Sequence, residues 1–83
     1  MKKPELTRAQ SIAKGVAIDS HKRRIYNLET EIESLRNRLE IVEADFDMPR
    51  TDREKESEVI IRRLTLLQYE IDIRKETVKW LSS

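Results

Sequence analysis

Two apolar seams of the same period, separated by one short proline-containing break, restrict this chain more than any other feature. From Ile18 the apolar positions are Ile18, Ile25, Leu28, Ile32, Leu35, Leu39, Val42 and Phe46, with His21 in the single gap, so that steps of three and four alternate over four repeats. That is the heptad pattern of a helix burying one narrow face. A second seam follows at Ile60, Leu64, Leu67, Ile71, Val78 and Leu81, interrupted by Arg74. Facing residues in an antiparallel hairpin have indices with a constant sum. Leu39 with Ile60, Leu35 with Leu64, Ile32 with Leu67 and Leu28 with Ile71 all give 99, and the same rule sets Ile25 against Arg74, His21 against Val78 and Ile18 against Leu81.

The break between the seams carries its own signals. Met48 precedes Pro49 and is pushed out of the α region, so the first helix is expected to end near Asp47. Thr51 with Glu54 three residues on reads as a capping box, which starts the second helix at Thr51. A short link between two such helices makes them antiparallel neighbours. The expected fold is therefore all-α: an antiparallel two-helix coiled-coil hairpin that dimerises into a four-helix bundle, with a short N-terminal helical segment. Its parts are a basic arm or short helix over 1–19, a long helix over 20–47, a turn at 48–50 and a second long helix over 51–82, in a single domain. Within the arm, Thr7 and Gln10 form another capping-box pattern, and Leu6, Ala9, Ile12, Ala13 and Val16 are helically spaced. Gly15 either terminates a short helix as a C′ residue or weakens one continuous helix.

Composition supports this reading and removes others. One Gly and two Pro leave few places to turn, and the absence of Cys excludes disulfides, thiolate metal sites and a cysteine nucleophile. Charged residues make up 40% of the chain and aromatics 5%, a balance that suits disorder as well as long helices until the periodicity decides for helices. No run of about 18 apolar residues is present, and Lys2-Lys3 is not followed by the apolar stretch of a signal peptide. A cytoplasmic protein without membrane contact is expected.

The second helix has more apolar surface than one seam can bury. Val59, Leu66, Ile73 and Trp80 recur every seven residues on a separate line, about 100° round the helix from adjacent seam positions. A lone hairpin leaves that line in water, whereas burying each such side chain is worth about 1.5–3 kcal/mol. These four residues are the expected interface of a two-fold homodimer. The start of the second helix, 52–58, has a net charge of −2 and its end, 74–79, a net of +2, so antiparallel second helices bring opposite signs together. Complementing the helix dipoles accounts for the same distribution.

No constellation of catalytic groups is visible, and neither enzymatic activity, a cofactor nor a small-molecule substrate is expected. His21 is the only histidine and is expected to pack beside Val78 with a ring nitrogen exposed. Glu29, Glu31, Glu33, Glu40 and Glu43 read as a solvated face, and Ser34, Ser57, Ser82 and Ser83 have no base at a recognisable spacing. Ala13-Lys14-Gly15-Val16 hints at a helix-turn-helix, but His21 falls where that motif needs an apolar residue.

Charge is segregated along the rod. Residues 1–24 have a net of +5 and residues 40–58 a net of −5, concealed in a total of +1. Lys14, Lys22, Arg23 and Arg24, joined by Arg74, Lys75 and Lys79 when the hairpin folds, are the candidate patch for nucleic acid or an acidic partner. At the acidic turn, Phe46, Met48 and Pro49 beside Asp45, Asp47 and Asp52 are the candidate contact for a protein partner. The expected function is a protein–protein interaction module acting as a homodimer on an unidentified protein: a regulator, inhibitor or assembly factor. A nucleic-acid-binding regulatory dimer and a component of a larger coiled-coil assembly are the alternatives.

Overall fold

The computed structural model describes residues 6–83 and comprises two helices, α1 (Arg8–Ala44) and α2 (Arg50–Ser82), packed along their lengths. Lys2, Lys3 and Glu5, which contribute to the basic charge of the N-terminal segment, lie outside the described residues. No strand occurs among the described residues, and the chain measures 64 × 20 × 12 Å. A helix of 37 residues rising 1.5 Å per residue spans about 56 Å, so α1 accounts for nearly all of the long dimension.

The N-terminal capping box forms. Gln10 N donates to Thr7 Oγ1 at 3.1 Å, and Thr7 N donates to Gln10 Oε1 at 2.9 Å. From there α1 continues without interruption through Gly15, so the arm and the long helix are one element and no helix ends at the glycine. An added Cβ at Gly15 would meet nothing within 4 Å.

The turn departs from expectation at both ends. Helix α1 stops at Ala44 rather than near Asp47, because short acidic side chains offer the backbone other partners. Asp47 N donates to Asp45 Oδ1 at 3.2 Å, Met48 N to Asp45 O at 3.3 Å and Phe46 N to Ala44 O at 3.1 Å. Phe46 therefore leaves the helix and is 85% exposed, and the seam closes at Val42 instead. At the other end α2 starts at Arg50 with Pro49 as its N-cap, so Thr51 is already inside the helix and cannot cap it. Glu54 does not reach back to Thr51; its carboxylate accepts from Arg50 Nε at 3.0 Å.

Packing follows the seams. Ile25, Leu28, Ile32, Leu67 and Ile71 form the core cluster, with Leu35, Leu64 and Val78 against it, and Val42 and Ile60 are buried nearer the turn. Ion pairs across the helices report the register. Arg24–Glu70 (3.8 Å), Glu31–Arg63 (3.1 Å) and Arg38–Glu56 (3.7 Å) share an index sum of 94 on one flank of the seam. Glu29–Lys75 (3.9 Å), on the other flank, has a sum of 104, so the two flanks bracket the 99 of the seam symmetrically. Each exposed pair is worth only about 0–1 kcal/mol. Their effect is selective: a slip of one heptad in one direction sets Arg24 against Arg63 and Glu31 against Glu56, and in the other sets Glu31 against Glu70 and Arg38 against Arg63.

Two substitutions check this account. Leu28→Ala, at a side chain with no exposure, is expected to cost about 2–5 kcal/mol in urea denaturation. Gly15→Ala is expected to slow amide exchange between residues 8 and 15 about fivefold, the equivalent of about 1 kcal/mol of helix propensity. Unchanged exchange there would mean that α1 is not continuous through the glycine.

Candidate functional site

The line Val59, Leu66, Ile73 and Trp80 is in water along its whole length, with exposures of 66%, 63%, 49% and 75%. Helical geometry fixes which side of the hairpin it occupies. Going round α2 from the seam, the flank residues Glu56, Arg63 and Glu70 come first and the apolar line next. Going round α1 past the matching flank of Arg24, Glu31 and Arg38, the next heptad line is Ala13, Ser20, Asn27, Ser34 and Ile41, all exposed. One broad side of the rod thus has an apolar line on α2 and an uncharged, mostly small line on α1. The opposite flank has Lys22, Glu29, Arg36 and Glu43 on α1 and Glu54, Ile61, Gln68 and Lys75 on α2, so it is mostly charged with Ile61 exposed within it.

The α1 half of the uncharged side is not marked by apolar spacing, because four of its five residues are Ala, Ser or Asn. Its signal was absence: nine heptad positions, five on α1 and four on α2, lack charge in a chain where 40% of residues are charged. Small residues at four of those positions, Ala13, Ser20, Asn27 and Ser34, would let another helix approach closely, whereas Ile41 and Trp80 put bulk at opposite ends.

The basic candidates do not converge on one face. Lys22, Arg23 and Arg24 are consecutive on a helix and point about 100° apart, with Lys22 and Arg24 on opposite flanks of the seam. Arg24 pairs with Glu70 and Lys75 with Glu29. Arg74 donates to Glu70 Oε1 at 3.3 Å and to His21 Nδ1 at 3.1 Å. A guanidinium has no acceptor, so the His21 ring presents its Nδ1 lone pair in this contact. His21 is half-buried with Arg74 as its polar partner, while Val78 packs on the core cluster. Lys14, Lys22, Arg23 and Lys79 make no ion pair among the described residues.

At the turn Phe46 projects outward with the Arg53 guanidinium 5.3 Å from its ring centroid, a cation–π contact. Met48 is half-buried, and Pro49 is exposed. One depression, of about 590 Å³, is an open groove between the helices whose Glu29 and Lys75 pair with each other. Among the described residues no group of three or more His, Asp or Glu is placed to hold a metal, and no helix is long and apolar enough to cross a membrane.

No protein-family model, curated protein or solved structure matches the chain.

Arg74 is the one charged side chain within the second seam, and its Nε is buried without a partner. Arg74 is only partly buried, and Glu70, itself partly exposed, keeps Arg24 as a partner when Arg74 is removed, so an apolar side chain at this seam position gains burial worth about 1.5–3 kcal/mol at little electrostatic cost. Arg74→Leu is therefore expected to raise the urea midpoint. A fall would show that the bonds to His21 and Glu70 outweigh the cost of burial.

Proposed function

We propose that this chain is a small, non-enzymatic protein–protein interaction module that acts as a helical-hairpin homodimer in the cytoplasm, as a regulator, inhibitor or assembly factor. The observation that supports it most is the unequal surface: twelve large apolar side chains are exposed among the described residues against seven that are buried. Four of the twelve fall on the single line Val59, Leu66, Ile73 and Trp80. A contiguous apolar patch of that kind marks an association surface. Pairing the α2 lines of two copies gives a four-helix bundle with both seams enclosed, and leaves the charged sides of the rod for the target.

A nucleic-acid-binding dimer is the alternative, resting on the charge gradient from the basic N-terminal end to the acidic turn. Three of its seven candidate cations are already engaged within the hairpin, which weighs against it.

Sedimentation separates these readings from a monomer. Leu66→Glu places a carboxylate in the middle of the apolar line and is expected to halve the sedimenting mass or unfold the protein, and an unchanged mass rejects the interface. Titration into labelled DNA and RNA at low and raised salt is expected to show no binding. Binding that falls steeply with salt would move the assignment to the nucleic-acid reading.

A further inference from the structure

We infer that in the dimer the N-terminal arm of each α1 lies along the acidic turn of the other copy, so that two arm-to-turn contacts close the ends of the bundle. The inference rests on the proposed α2 dimer and specifies its direction, its register and a second contact surface.

The apolar line sets the centre. Val59 and Trp80, and likewise Leu66 and Ile73, have an index sum of 139, so a two-fold axis between Tyr69 and Glu70 pairs the line with itself when the two α2 helices run antiparallel. The same register sets Arg63 of one copy opposite the partner's Glu76. The rest follows from lengths. With the hairpin in register at 99, Ser82 at the end of α2 is level with Ala17, and the nine residues Arg8–Val16 of α1 overhang by about 14 Å. About the proposed axis, the partner's α2 starts seven residues farther out than this α2 ends, and so projects about 10 Å beyond it, followed by the turn. Overhang and projection lie at the same end of the dimer and have nearly the same length.

Their chemistry matches as well. The arm has Leu6, Ile12 and Val16 exposed at 53%, 59% and 63%. Ala9, Ala13 and Val16 lie on or beside the α1 line that shares a side with Val59–Trp80. The turn end has Ile41 and Phe46 exposed at 70% and 85%. Between residues 6 and 18 the only charges are Arg8 and Lys14, whereas residues 43–53 have Glu43, Asp45, Asp47 and Asp52 against Arg50 and Arg53, a net of −2. Antiparallel copies therefore bring a cationic apolar arm to an acidic apolar turn at both ends. Parallel copies would set arm against arm and turn against turn, with like charges together.

A chain without cysteine makes a direct test available. In Ala13→Cys/Ala44→Cys the two thiols are on the same helix about 46 Å apart, so a short bis-maleimide cannot link them within one chain. In the proposed dimer Ala13 is nearly level with the partner's Ala44 at each end. The expected product has the mass of two chains and does not extend further. A ladder of larger species would mean open head-to-tail association, and cross-linking of the single variant Ala13→Cys would mean parallel copies; either overturns the inference. If the untreated double variant sediments as two chains but does not cross-link, the arm contact is wrong and the α2 dimer stands. If it sediments as one chain, both fall.

Discussion

The alternating charges Arg24, Glu31 and Arg38, set against Glu70, Arg63 and Glu56, hold α1 and α2 at one offset, and the position of every other surface follows from it. The apolar seam cannot make that choice alone, because a heptad pattern moved by seven residues still places apolar groups against apolar groups. Burial drives the helices together, and weak, exposed ion pairs reject the neighbouring registers. At the selected offset α1 overhangs α2, Arg74 comes within reach of His21, and the uncharged lines of both helices share one side. A shift of one heptad would change the first two and place like charges along the flank.

Most of this arrangement was legible in the residues. The two long helices and their register of 99 follow from spacing alone, and the flanking pairs at 94 and 104 agree with it. Spacing was less informative at the turn. The chain there is governed by the Asp45 carboxylate accepting from the backbone of Asp47, a contact that depends on local dihedral angles rather than on any period. Thr51 and Glu54 have the right separation for a capping box, but Pro49, with φ near −54° and ψ near 141°, supplies the carbonyl that opens the helix one position before Arg50. At Gly15 the sequence left two outcomes open, and the continuous helix has the cap at Thr7 in its favour.

The candidate surfaces were legible to different degrees. The apolar line of α2 stands out because large side chains recur at intervals of seven on a line apart from the seam. The uncharged line of α1 is made of Ala, Ser and Asn, residues that a search for apolar periodicity passes over, and only its position relative to the ion-paired flank reveals it. The basic cluster was the least informative. Adjacent letters in a sequence become different directions on a helix, and Lys22, Arg23 and Arg24 are dispersed by the same geometry that gathers residues seven apart.

The core described above is a string of layers rather than a volume, and this shapes how the molecule comes apart. A buried residue in a two-helix rod touches the layer before it and the layer after it, so disruption at one point is not felt throughout. Opening resembles a zipper, with free energies that fall from the middle towards the ends. Leu28 and Ile71, with 0% and 1% exposure, mark the most tightly closed layer. The half-buried His21–Val78 layer and the Ile18–Leu81 layer beyond it are the weak teeth, which makes the end opposite the turn the natural point of entry for a protease or an exchanging partner helix.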